Sequence, residues 1–258
     1  MESTIDEKKA KGLRVWNLSM GFLHLGQGIV MLALSTDFSL PVIGNFLNFN
    51  VKTQSLEPTA QSLMDFQIGP AVASFLFLSA LAHFCVSTIF YPWYIKNLAK
   101  KINIARWIEY SFSSTLMLVV IAMLVGIYDL SALIALSGLN ISMILFGWMM
   151  ELHNQSTTKT NWTSFVFGCI SGIIPWIAVA IYLFAAGEGE YRAPDFVYWI
   201  YFSIFLFFNT FAINQVLQYA KVGKWQDYLY GEKAYIILSL VAKSLLAWQV
   251  FAGTLRPM

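Results

Sequence analysis

The residue whose type and place most invite chemistry is Lys243. It lies near the middle of Ala234–Leu255, AYIILSLVAKSLLAWQVFAGTL, a run of 22 residues with no other charge. A run of that length can cross a bilayer as one helix. At about 1.5 Å per residue the Lys243 backbone sits roughly 14 Å from the nearer end, farther than a lysine stem snorkels with ease. Insertion of a lysine at that depth costs roughly 2.5–3.5 kcal/mol, so the amine calls for a negative partner or a covalent use. Among the few acidic residues within apolar stretches, Glu109 is the best placed, and Ser239 precedes Lys243 by four residues, one helical turn away on the same face. Glu109, Ser239 and Lys243 can therefore meet. The competing reading pairs Glu109 with Arg106, three residues earlier, as an interfacial salt bridge.

Other polar groups fall at similar depth. His24 and His83 both lie at mid-span, and Gln27 follows His24 by three. Two readings stand: a cluster that accepts protons, suited to an ordinary histidine pKa near 6.5, or hydrogen-bonded packing histidines. Neither the spacing nor the carboxylate company of a metal site is present. Trp148, Trp176 and Phe208 are mid-span aromatics that can line a ligand slot or serve as core. No phosphate loop, nucleophile triad or nucleic-acid patch occurs. An intramembrane enzyme would need a second catalytic group, and no enzymatic activity is expected.

The elements that must position these residues are membrane spans. Of 258 residues, 58% are hydrophobic and 12% charged, against about a quarter charged in soluble domains. Seven apolar runs fill the chain as one domain, 1–258: Val15–Leu34, Ile68–Tyr91, Ile104–Tyr128, Leu130–Met150, Trp162–Ala186, Phe196–Tyr219 and Ala234–Leu255. The start, MESTIDEKKAKGLR, carries no cleavable signal pattern. The third and fourth runs leave only Tyr128-Asp129-Leu130 for a tight turn. The long connection Ser35–Gln67 contains an alternating piece, Val42–Val51, that can form a short β-hairpin over the membrane surface. Cys85 and Cys169 read as packed thiols rather than a disulfide, and Gly172 and Pro175 as marks of a kink or close packing.

Twelve Lys and Arg residues fall in the N-terminal tail and alternate loops, against Lys52, Arg192 and Arg256 among Asp37, Glu57, Asp65, Asp129, Glu188, Glu190 and Asp195 on the other side. The positive-inside rule then puts the N-terminus in the cytoplasm and the C-terminus outside.

Seven spans with a lysine in the middle of the last resemble a retinal-binding rhodopsin. The segments RWIEYSFSSTLM, NISMILFGW, FGCISGIIPWI, FLFFNTFA and YIILSLVAKSLLAWQVFAGTL, with HLGQ and LSALAHF in the first two spans, resemble the heliorhodopsins in particular. The likeness covers nearly the whole chain. It implies all-trans retinal on Lys243 as a protonated Schiff base, Glu109 as counter-ion, and Ser239 in their hydrogen-bonding environment. It further implies a polar, water-holding cluster with His24 and His83. Trp148, Trp176 and Phe208 would flank the polyene, with Met143 and Gly147 shaping the pocket. A light-responsive homodimer with a slow photocycle and mostly no ion pumping is the implied behaviour.

A vectorial pump needs proton groups on both sides of the lysine. Beyond Glu109 the third span continues through Ser113 to Val120, and beyond Lys243 the last offers only Ser244 and Gln249 before Arg256. The expectation is a light sensor acting through shape change on an unknown partner. A light-driven or light-gated ion transporter is the alternative.

Overall fold

Capping groups and turn residues, more than hydropathy, set where the apolar runs begin and end as helices. The computed structural model describes residues 5–185, 187 and 192–255. Its helices are α1 Glu7–Leu34, α2 Ile68–Ser87, α3 Tyr91–Ala99, α4 Ile104–Leu124, α5 Leu130–His153, α6 Thr163–Ala185, α7 Asp195–Tyr219 and α8 Tyr228–Val250, the last continuing in a wider turn over Phe251–Leu255. All but α3 are long and apolar enough to cross a membrane. Asp6, Asn103, Asp129 and Asp227 each accept a backbone N–H of the first turn they precede, a contact worth about 1 kcal/mol.

Several boundaries differ from the hydropathy reading. The second span stops at Ser87, because Pro92 in the first turn of α3 starts a separate helix. Tyr94 and Leu98 of that helix are buried among Leu13, Met20, Val86 and Leu229. The third span ends at Leu124, and Val125–Asp129 make the turn through Gly126 at φ +97°. Helices α1, α5 and α8 run past the apolar stretches at the end of the bundle that carries the N-terminus, adding polar turns there. Ala186, Glu188, Glu190 and Arg256 lie outside the described residues.

The loop after α1 is a larger element than the alternating piece implied. Strands β1 Ser39–Asn50 and β2 Ser55–Gln67 pair antiparallel from Ser39↔Gln67 to Asn50↔Ser55, with an irregularity at Val42/Ile43. A two-stranded ribbon alone is marginal in water. This one is tied down where Ile43 N–H donates to the Tyr128 carbonyl at 2.8 Å and Asn45 to Asp129 Oδ2 at 2.8 Å.

Neighbour packing runs α1–α2–α4–α5–α6–α7–α8 and closes from α8 onto α1, with α4 also touching α6 and α7. The interior of this ring is polarised along its axis. At the hairpin end, Val72, Phe75, Leu76, Leu118, Val120, Ile121, Leu246, Ala247 and Val250 form one dry cluster, each at most 1% exposed. Toward the N-terminal end the buried side chains include Asn17, His24, Asn103, Arg106, Glu151, Asn214, Gln215 and Glu232.

Gly126 offers a clean test of the α4–α5 turn. A Cβ added there would meet nothing within 4 Å, so Gly126→Ala tests backbone conformation alone. The positive φ should cost about 1–2 kcal/mol and lower the apparent thermal midpoint in detergent by about 2–8 °C. An unchanged midpoint would mean that the turn does not hold this conformation.

Candidate functional site

The charges in the middle of the bundle form two groups. In the first, α8 presents Ser239 and Lys243 a turn apart, and α4 brings Glu109 against them. Lys243 Nζ donates to Glu109 Oε1 at 2.7 Å and to Ser239 Oγ at 3.0 Å. Ser79 Oγ on α2 donates to the same carboxylate oxygen at 2.6 Å. The Lys243 and Glu109 side chains are 4% and 10% exposed. Removing one partner of such a pair leaves an uncompensated buried charge, at a cost of about 3–5 kcal/mol.

The second group explains why Arg106 does not take Glu109. Arg106 Nη2 donates to Glu151 Oε1 at 2.6 Å, and Nη1 bonds Glu232. Its guanidinium carbon lies 4.4 Å from the Trp107 ring centre and 3.9 Å from that of Tyr235. One cation facing two carboxylates leaves acceptor capacity over, and neutral donors fill it. Asn103 gives its backbone N–H to Glu151 at 2.9 Å and its side-chain amide to Glu232 at 2.7 Å. Trp107 Nε1 and Tyr228 Oη donate to Glu151 at 2.6 and 3.0 Å. The interfacial Arg106–Glu109 bridge is thus not formed, because better-placed carboxylates from α5 and α8 claim the arginine.

Between the two groups lies a cavity of about 430 Å³, bordered by Asn17, His83, Arg106, Glu109, Glu232 and Ser239. It joins the lysine's carboxylate to the arginine cluster on the N-terminal side. His83 Nδ1 lies 2.8 Å from Asn17 Oδ1, and the His83 ring stacks on that of His24 with centroids 5.6 Å apart. His24 is fully buried, and neither of its ring nitrogens has a hydrogen-bond partner. The two histidines are brought together beside the pair. Gln27 is not drawn into their group: it donates to the Leu23 carbonyl and accepts from Trp248 Nε1 at 3.1 Å.

A larger cavity, about 830 Å³, opens from Lys243 among α4, α5, α6, α7 and α8. Met143, Gly147, Phe208, Ser239 and Ser113, all candidate retinal contacts by the family resemblance, line it together with Trp107, Tyr110, Met117 and Phe211. Trp148 and Trp176 are not on its wall. Trp176 packs edge-on against Phe208 at 5.3 Å, one layer back, and Trp148 packs on the cluster of Trp107, Tyr110, Ile144 and Tyr235. Gly147 leaves room for the Trp107 ring, which a Cβ would strike. Cys169 also borders the cavity and is exposed, so it is not the packed thiol expected; both cysteines are free. An aliphatic and aromatic slot with a primary amine at one end suits an apolar polyene aldehyde. Retinal fits the residues present.

Sequence reasoning missed Ser79, Tyr110, Glu151 and Glu232. The usable signal lay in Glu151 and Glu232: both sit just past apolar runs at the same end of the bundle as Arg106.

With this geometry in place, comparison with known proteins is direct. No curated protein matches the chain. The crystal structure of a light-driven proton pump from Leptosphaeria maculans superposes with a TM-score of 0.64 at 15% identity, covering 97% of this chain and 96% of that one. A likeness at that identity shows the seven-helix fold alone. The heliorhodopsin family profile matches residues 13–255, through every helix that builds the two cavities. The chain belongs to the heliorhodopsin family.

Proposed function

We propose that this protein is a light sensor that carries all-trans retinal on Lys243 and moves protons within itself without transporting ions. The observation that carries the reading is the one-sidedness of the interior. Glu109, Ser79, Ser239, His83 and the Arg106 cluster all lie beside Lys243 or toward the N-terminal end, while buried hydrocarbon fills the hairpin end.

Lys243 Nζ would hold retinal as a protonated Schiff base, and the bound group would supply visible-light absorption, a positive charge and a releasable proton. Glu109 Oε1 holds that proton-bearing nitrogen, and Ser239 and Ser79 orient the pair through their hydroxyls. Met117 and the aromatic wall of the larger cavity exclude water from the apolar slot. A proton leaving Nζ meets Glu109 first, and beyond it the 430 Å³ cavity with His83, Arg106 and Glu232. The dry cluster beyond Lys243 offers it no acceptor, so it returns the way it left. A slow photocycle follows, and the lasting output is a change of shape at the N-terminal ends of the helices. The basic loops support a cytoplasmic N-terminus, which would put that output where a cytoplasmic or membrane partner can read it. A homodimer is part of the same proposal.

Three variants test the attachment and the counter-ion together. Lys243→Ala, and Lys243→Arg to keep a cation opposite Glu109, should both insert in the membrane and give no visible pigment with added retinal. Glu109→Gln should shift the visible band to the red or, where the proton is lost, replace it with ultraviolet absorption, because a nearby carboxylate favours the charged form of its partner. A coloured Lys243→Arg protein, or a Glu109→Gln spectrum identical to wild type, would remove these roles.

Transport is tested in illuminated vesicles in unbuffered medium. No sustained pH change and no photocurrent under voltage clamp are expected. A sustained change abolished by protonophore, or a photocurrent, would reject the sensor and establish a transporter.

A further inference from the structure

A third cavity, of about 810 Å³, lies apart from the retinal slot, at the N-terminal end of the bundle. Three connections build it: the residues just before α4, the α5–α6 loop and the α7–α8 loop. Its wall contains Lys101 and Lys221, and no carboxylate. Both lysines hold positive φ, +60° and +55°, a left-handed conformation uncommon for side-chain-bearing residues. Each sits where the chain leaves one helix and turns to the next: Lys101 N–H donates to the Leu98 carbonyl at 2.9 Å, and Lys221 N–H to that of Gln218 at 3.3 Å. The turns thus deliver two ammonium-bearing side chains to one cup.

The rest of the wall completes a recognition surface. Thr158 and Gln226 contribute side-chain donors with no hydrogen bond in the structure, and Tyr219 and Trp225 contribute aromatic surface. Among the described residues, neither Lys101 nor Lys221 has an ion-pair partner. Two uncompensated cations over free hydroxyl and amide donors favour an anion rich in acceptor oxygens. The aromatic surface suits a planar organic group beside the phosphate.

We propose that this cup binds a phosphate-bearing organic anion, with Lys101 and Lys221 as its phosphate contacts. The phosphate can belong to a soluble metabolite or to a lipid headgroup at the membrane surface, since the recognising chemistry is shared. The cup's floor includes Tyr228, whose hydroxyl also donates to Glu151 of the arginine cluster. An occupant would therefore touch a residue bonded directly to the buried charges. The assignment of the site stands independently of retinal.

The test is a calorimetric titration of the purified protein in phosphatidylcholine nanodiscs, with AMP and with inorganic phosphate as probes. Saturable binding of AMP is expected, weakened at least about tenfold in the Lys101→Gln/Lys221→Gln double variant at an unchanged thermal midpoint. Repeating the titration in nanodiscs that contain phosphatidylglycerol separates the sources. AMP binding that persists marks a soluble ligand, and binding that the anionic lipid abolishes marks a headgroup in the cup. No saturable binding of either probe in phosphatidylcholine, or equal binding by the double variant, overturns the proposal. A colourless preparation that still binds AMP would sink the retinal reading and leave this one intact.

Discussion

An ammonium group held in the middle of a membrane-spanning helix must be met by charge and hydrogen bonds, or it will not stay there. In this chain every group that meets Lys243 comes from its own level or from the N-terminal side. Glu109 neutralises it, Ser239 and Ser79 complete the hydrogen bonding, and a cavity leads on to a second set of buried charges. Among the described residues, α2, α4 and α8 close on one another at the hairpin side through Phe75, Leu76, Val120, Ile121 and Leu246, and a polar contact there, Ser203 with Gln249, carries no charge. Packed hydrocarbon holds few spaces large enough for water, and a proton needs water or a polar chain to travel. On the proposed reading, the direction in which a proton moves is set by packing as much as by the charges themselves.

The Arg106 cluster gives this arrangement a second consequence. By holding Glu151 and Glu232 in one buried group with Asn103, Trp107 and Tyr228, it ties α4, α5 and α8 together at the end where the basic loops lie. A buried network of charges and neutral donors loses much when one member changes charge or position. A change in charge at Glu109, across a shared cavity, reaches helices that end in solvent-exposed loops. On the proposed reading this is a route from the buried ion pair to a surface, with the cavity between Glu109 and the Arg106 cluster as its middle step.

Much of this was legible in the chain because bilayer spans follow hydropathy and a mid-span lysine has few acids to choose from. Lys243, Ser239 and Glu109 come together as their depth and turn spacing require. Other features were hidden for definable reasons. Glu151 and Glu232 stand just past apolar runs, where composition does not distinguish a solvated helix end from a buried one. Pro92 sits in a weakly apolar stretch, and only tertiary burial of Tyr94 and Leu98 separates α3 from α2. The hairpin pairs over its whole length although most of β2 is exposed, so alternation understated it. Trp148 and Trp176 carry the right chemistry for a cavity wall but stand behind it. Which layer an aromatic occupies depends on helix rotation, and spacing along the chain leaves that open. Gln27 shares a face with His24, yet its carbonyl is taken by Trp248.

The central claim is that the buried ion pair communicates with one side of the membrane only. It is tested most directly by the pigment's own colour in sealed vesicles of known orientation, with the pH lowered on one side at a time. Acid on the side of the N-terminus should protonate Glu109 and shift the visible band. The same acid on the hairpin side should leave the band in place until the membrane is permeabilised. A shift that follows the pH of the hairpin side would show a conducting path through the hydrocarbon half and contradict the account.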